Sequence, residues 1–185
     1  MASEETGQET EAPGVHAGAP EFDGAFREKL AELFAWRRDV RSFKPDPLPD
    51  GLLDELLRQA TLAPSVGFSQ PWRFVTVDEP ARREALARNF EACNARALEN
   101  YSGAQAELYA RLKLSGLREA PVQLACFAAE DTERGHGLGQ QTMPETRRYS
   151  VVAAIYTLWL AARAHGIGVG WVSILDPDAV ARTLE

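Results

Sequence analysis

The run Val151-Val152-Ala153-Ala154-Ile155-Tyr156-Thr157-Leu158-Trp159-Leu160-Ala161-Ala162 is the longest apolar stretch of the chain, and its reading decides the fold. A membrane-spanning helix takes roughly 20 apolar residues. This stretch is shorter and is interrupted by Tyr156 and Thr157, so it predicts a core helix over Arg147–His165. Gly166 stands where a helix C′ residue belongs. Tyr156, Trp159 and Leu160 are read as its packing residues.

On the carboxyl side, Gly166–Ile174 reads as a Gly-rich strand, and Asp176-Pro177 opens a last helix still in progress at Glu185. On the amino side lies a loop over Glu130–Thr146, rich in Gly and charge. A loop that long in a compact domain is functional or disordered. Before it, Val122–Ala128 is a continuous apolar run, the pattern of a strand buried on both faces. Trp72–Val77 is a further strand. Pro80 opens a polar helix to about Asn100, and a second helical stretch runs to about Leu114. Phe22, Phe26, Leu30, Leu33 and Phe34 share one face of a first helix ending near Trp36. Asp50 is the expected N-cap of a second, which carries Leu52, Leu53, Leu56, Leu57 and Ala60 and stops at Pro64. Strands and helices interleave without strict βαβ alternation, so the class is α+β. Three strands are few for so many helices, and the chain is expected to end before its last strand.

At 185 residues the length suits one domain. The net charge of −7 disfavours nucleic acid and anionic membranes as partners. Two cysteines, Cys93 and Cys126, are too few for a disulfide framework. None of His16, His136 and His165 pairs with a cysteine at metal-ligand spacing, so no metal site is expected. Met1–Pro20 carries Glu4, Glu5, Glu9 and Glu11 without Lys, Arg or an apolar core, unlike a secretory signal. Residues 1–21 are read as a disordered acidic tail and residues 22–185 as one ordered domain of a cytoplasmic protein.

Against that acidic background, Arg37-Arg38-Asp39-Val40-Arg41 concentrates positive charge between a helix and a Pro-rich stretch. Guanidinium forks grip phosphate bidentately, so one reading is an anion site. The other is a solvated basic turn paired to Asp39 and Asp46. Asp39 is out of place in an anion grip and suggests a separate role in proton transfer or hydrogen bonding. Pro64-Ser65-Val66-Gly67-Phe68-Ser69-Gln70-Pro71 is a tight turn of small and polar residues, suited either to close approach by a flat ligand or to plain connection. Gly166-Ile167-Gly168-Val169-Gly170 follows a helix and leads into a strand, the reverse of a dinucleotide motif, and is rejected as one. Ser173, near Trp171, either lines a pocket or bonds locally. His136 in the 130–146 loop reads either as a base or, more commonly for its setting, as an exposed loop histidine.

Taken in order, the Arg turn, Ala63-Pro64-Ser65 with Gln70-Pro71-Trp72-Arg73-Phe74, Met143-Pro144-Glu145-Thr146, and Gly170-Trp171-Val172-Ser173-Ile174 resemble the nitroreductase superfamily. Within it they are most similar to the 5,6-dimethylbenzimidazole synthases. The resemblance implies an FMN-dependent nitroreductase-like fold, with a mixed central sheet flanked by helices, in a homodimer with flavin at the interface. It implies that reduced FMN is the substrate and dioxygen the co-substrate. The products would be erythrose 4-phosphate and the benzimidazole that serves as the lower ligand of cobalamin. A separate flavin reductase would supply the reduced FMN. Arg37, Arg38 and Arg41 would bind the phosphate and the polar edge of the flavin, with Val40, Pro64, Ser65 and Trp171 also in contact. Asp39 and Ser173 would be the two catalytic residues, Asp39 as a base or proton shuttle. Ala92–Arg118 would form a lid. Conventional nitroreductases usually carry Asn where this chain has Phe68, and Ser or Thr where it has Asp39. The family normally continues past this carboxyl terminus with a closing strand. The competing readings are an NAD(P)H-dependent nitroreductase or flavin reductase, and a non-catalytic flavin-binding protein.

Overall fold

The computed structural model describes residues 18, 20–99, 103 and 116–185. Most of the expected acidic tail, the helical stretch expected to end near Leu114 and much of the expected lid lie outside these residues. The elements run α1 (Gly24–Trp36), α2 (Leu52–Ala60), β1 (Trp72–Thr76), α3 (Pro80–Leu98), α4 (Gly116–Glu119), β2 (Leu124–Ala128), α5 (Thr146–Ala164) and α6 (Pro177–Leu184). Short 3-10 turns occupy Val66–Phe68 and Arg134–Gly137.

The apolar run becomes α5, against which α1, α2 and both strands pack, while α3 packs with α4 and α6. Val151, Ala154, Leu158 and Ala162 are buried at helical spacing, and the two alanines let neighbours approach closely. Leu158 and Ala162 pack against Leu52, Leu56 and Ala60 of α2. Val151 and Ala154 pack against Ala63 and Trp72, with Phe74, Cys126 and Ala128 of the sheet beside them.

β1 and β2 pair antiparallel from Trp72↔Ala128 to Thr76↔Leu124. The expectation that β2 is buried on both faces needs correcting. All five of its residues are only half-buried, and among the described residues the strand has a neighbour along one edge alone. The expected Gly-rich strand is also smaller than predicted. Residues 166–174 contribute one isolated parallel bridge, Asp39↔Val169, closed by Val40 N–H donating to Val169 O at 3.0 Å.

Helix ends follow local chemistry. Asp23 caps α1 by accepting from Phe26 N–H at 2.7 Å. Asp176 caps α6 by accepting from Ala179 N–H at 3.1 Å. Asn89 of α3 clamps the Asp176 peptide from both sides, donating to its carbonyl at 3.1 Å and accepting from its N–H at 2.9 Å. The expected cap of α2 is displaced by one residue. Gly51, at φ +76°, takes the N-cap position, because Leu52 N–H turns back to Pro49 O and this tight turn needs a left-handed residue.

The 130–146 loop is docked onto the Pro64–Pro71 turn. Arg134 donates to Gln70 Oε1 at 2.7 Å, Thr132 Oγ1 donates to Ser69 O at 3.4 Å, and Gly135 lies directly against the Gly67 carbonyl. Within the turn, Phe68 and Gln70 hold positive φ values of 54° and 44°. Such strain in non-glycine residues persists where surrounding contacts enforce it.

Candidate functional site

The Arg turn begins where α1 stops. Arg37 leaves helical geometry at ψ 127° while its N–H still bonds Leu33 O. Arg38 then folds back, and its guanidinium donates to Ala35 O and to Arg37 O, satisfying carbonyls that a helix end leaves without partners. Arg37 lies over the rings of Tyr156 and Trp159, 5.7 and 5.2 Å from their centroids. This cation–π placement ties the turn to α5. Its Nε is buried with no hydrogen-bond partner among the described residues, a donor ready for an acceptor.

Asp39 joins two segments. Its Oδ2 pairs with Arg41 at 2.7 Å, and its Oδ1 accepts from Trp171 N–H at 2.9 Å. Trp171 in turn packs on Trp159, with ring centroids 6.2 Å apart. The approach depends on two glycines. A Cβ on Gly168 would stand 2.9 Å from Val40 Cγ2, and one on Gly170 would overlap Val40 O. Gly170→Ala should therefore cost about 2 kcal/mol of stability and loosen the Asp39–Trp171 bond. Thermal unfolding and exchange of the Trp171 amide would read both effects, and unchanged values would refute the interlock.

Asp39, Val40, Arg41, Trp171 and Ser173 thus line one cavity of about 840 Å³. Arg38 and Val40 also border a smaller hollow of about 170 Å³ beside Trp159. Pro64 and Ser65 sit elsewhere. Ser65 Oγ accepts from Gln70 N–H, and Val66 N–H donates to Ser150 Oγ near the start of α5, whereas the Arg turn meets α5 at Tyr156 and Trp159. At 1.5 Å per residue the two places lie roughly 9 to 13 Å apart along α5. A single chain therefore holds the candidate flavin-binding residues in two groups. His136 bonds within its own loop, through its N–H to Glu133 O.

Sequence reading quoted Ser69 only as part of the Pro64–Pro71 turn and passed over Gln140. Both are buried, and among the described residues Ser69 Oγ and Gln140 Nε2 have no hydrogen-bond partner. Gln140 carries no motif, and the burial of both goes with the docking of the 130–146 loop on the turn that holds Ser69. At the described end of the expected lid, Arg118 forks between Glu84 and Glu91 of α3, and its hydrogen bond holds the Glu84 carboxyl below its usual range.

Cys126, on the cavity wall, has its thiol pushed from 9.0 up to about 11 by burial. A folded pKa above the unfolded value gives stability that is complete below pH 9 and is lost as pH climbs toward 11. Cys126→Ala should flatten that alkaline decline. In the native protein at pH 8, Cys126 should alkylate at least about tenfold more slowly than in the urea-unfolded chain. Equal rates would contradict its burial.

A model of the nitroreductase family matches residues 34–185. The 5,6-dimethylbenzimidazole synthase of Rhodospirillum rubrum is 60% identical over 90% of this chain and 79% of its own length. The synthase of Rhodobacter capsulatus is 50% identical over 89% of this chain and 79% of its own length. Among solved structures, an iodotyrosine deiodinase bound to FMN and 3-iodo-L-tyrosine superposes with a TM-score of 0.69 at 28% identity, covering 83% of this chain and 79% of that one. A BluB-like flavoprotein from Clostridium difficile 630 has the same fold, with a TM-score of 0.64 at 22% identity over 84% of this chain and 80% of its own.

Proposed function

This chain belongs to the nitroreductase family, and from that premise we propose that it is a 5,6-dimethylbenzimidazole synthase. It takes up reduced FMN and, with dioxygen, converts it into 5,6-dimethylbenzimidazole, the cobalamin lower ligand, and erythrose 4-phosphate. The observation that carries this reading is the 60% identity to the Rhodospirillum rubrum synthase across nine-tenths of the chain.

The residues present suit FMN. Three guanidinium groups within one turn offer charge and forked donors to a phosphate, and Arg37 Nε, without a partner among the described residues, is a donor awaiting an acceptor. Bound reduced FMN supplies the electrons for dioxygen and the carbons of the product. Arg37, Arg38 and Arg41 hold its phosphate and polar edge, while Val40 and Trp171 shape the wall. Asp39 accepts or relays a proton. Each of its oxygens already takes one donor, and a carboxylate has about four acceptor sites, so two remain for the substrate. Ser173 orients the reacting ring.

The protein works as a homodimer with flavin at the interface. Support comes from exposed apolar side chains at helical spacing on α5, namely Tyr149 (57% exposed), Val152 (45%) and Tyr156 (41%), and from α1, which has no buried residue. A second copy would cover these and would bring its own Pro64-Ser65 turn toward the first chain's Arg turn. A separate flavin reductase supplies reduced FMN, and the protein acts in the cytoplasm. No described helix is long and apolar enough to cross a membrane.

Incubation with FMN, NADH, a flavin reductase and air tests the proposal. It should yield 5,6-dimethylbenzimidazole on chromatography. Oxidation of NADH by a nitroaromatic with the flavin left intact would instead mark a conventional nitroreductase, and neither outcome would mark a carrier.

A further inference from the structure

Phe43 follows the Arg turn in the chain, and its half-buried ring stands between two backbones. A Cβ on Gly116 would lie 2.7 Å from the ring's Cε2 and 2.8 Å from its Cδ2, and a Cβ on Gly170 would lie 3.4 Å from its Cζ. Neither glycine has a positive φ, so the backbone does not call for glycine at either place. At Gly116 it is the ring that excludes a side chain, because packed carbon atoms sit about 3.5 to 4.0 Å apart. At Gly170 the Val40 carbonyl excludes one, and the ring stands at contact distance as well.

The two backbones differ in how firmly they are held. Gly116 opens α4, which is braced on α3. Arg118 forks to Glu84 and Glu91 at 2.9 to 3.2 Å. Arg83 of α3 donates to Val77 O, Ala120 O and Pro121 O at 2.7 to 2.8 Å, and Gln123 Nε2 donates to Leu117 O at 2.5 Å. Gly170, by contrast, lies in a segment that makes one isolated bridge among the described residues. Its hydrogen bonds to the Arg turn are those of Val169 O with Val40 N–H and of Trp171 N–H with Asp39 Oδ1. A flat, stiff ring packed between a braced block and a sparsely bonded segment passes the position of the first to the second.

We infer that Phe43 is a positioning residue for the reaction. Its ring rests on α4 at Gly116 and holds Gly170, and through it Trp171 and Ser173, at a set distance from Asp39. The Arg41 carbonyl lies 3.4 Å from the same Gly116 Cβ position, so this support also fixes the backbone of the Arg turn. The role of Ser173 comes from the proposed synthase activity, and the role of Phe43 rests on it. A misplacement of about 1 Å costs a reaction about 100-fold, whereas FMN binding is spread over many contacts. Reduced FMN that is not fragmented gives two electrons and two protons to dioxygen, leaving FMN and hydrogen peroxide. Loss of the wedge therefore shows as peroxide in place of benzimidazole, with FMN still bound.

Phe43→Leu, Gly116→Ala and the double variant are tested beside the parent. Reduced FMN is bound to excess protein and exposed to air, and benzimidazole and peroxide are quantified. Leucine withdraws the ring edge, and alanine drives the ring toward Gly170. Each single variant should lower benzimidazole per flavin by at least about tenfold, with peroxide rising to match and the Kd for FMN staying within about threefold. Exchange of the Trp171 amide, followed by NMR, should quicken by at least about fivefold. In the double variant the new methyl group refills space left by the ring, so both readouts should recover toward the parent. Leu52→Ala, a core truncation on α2, controls for general destabilisation and should leave the yield per flavin unchanged. The inference is overturned if the single variants keep the parental yield, if Leu52→Ala lowers it equally, or if the two losses simply combine in the double variant. A parent that makes no benzimidazole refutes the synthase reading instead. The Trp171 exchange pattern then decides by itself whether Phe43 sets this segment.

Discussion

Asp39→Asn is expected to abolish benzimidazole formation while FMN stays bound. The amide oxygen of Asn still accepts the Trp171 N–H that Asp39 Oδ1 accepts at 2.9 Å, so the Gly170–Ser173 segment keeps its place. What disappears is the charge, the ion pair to Arg41 and the capacity to take up a proton. Losing a positioned acid–base group lowers rates by about 10²- to 10⁴-fold. Removing a carboxylate from beside three arginines leaves phosphate affinity equal or higher. Ser173→Ala should behave in the same way, with product lost and flavin retained. Flavin fluorescence titration reads binding, and chromatography after single-turnover oxidation reads product. If both variants make product at the parental rate, neither residue has the role given to it.

The second large effect is structural. Gly135→Ala should lower stability by about 3 kcal/mol, combining a left-handed conformation with overpacking, and should lower Tm by roughly 10 °C. Gly135 holds φ +75°, and its missing side chain leaves room for the Gly67 carbonyl and Ser69 N. A methyl group there must push the 130–146 loop off the Pro64–Pro71 turn. That turn carries Pro64 and Ser65, so FMN affinity should fall along with stability. Gly137, at φ +72° with no atom near its Cβ position, is the control. Gly137→Ala has the same backbone strain without the collision, so its loss should be smaller. Equal losses would assign the effect to strain alone.

The parts of the fold legible in sequence were those dictated locally. The apolar run with Gly166 behind it forecast α5, and Asp176-Pro177 forecast the start of α6, because periodicity and capping act within a few residues. Asp50 as a cap failed, since the turn geometry that admits Gly51 at φ +76° outweighs the preference for an Asx side chain. The Gly-rich strand was overread. Gly168 and Gly170 are there to let Val40 approach, and among the described residues the segment makes one isolated bridge, Asp39↔Val169, rather than a ladder.

The site was legible in part for the same reason. Resemblance singled out Asp39 and Ser173, but no local signal places Trp171 N–H on a carboxylate 132 residues earlier. Tyr156 and Trp159 read as packing residues, and Trp159 is indeed buried. Their second use, as the surface on which Arg37 lies, is a tertiary fact. The separation of Pro64-Ser65 from the Arg turn was likewise invisible until α5 was seen to carry both.

The claim that FMN is consumed rather than recycled is tested most directly by a flavin mass balance. FMN labelled with ¹³C in its dimethylbenzene ring is reduced by a flavin reductase and exposed to air with stoichiometric protein. Residual flavin and labelled 5,6-dimethylbenzimidazole are then quantified together. Each mole of FMN lost should appear as one mole of labelled benzimidazole, with erythrose 4-phosphate formed in equal amount. Full recovery of FMN after repeated reduction and oxidation, with no labelled product, would contradict it.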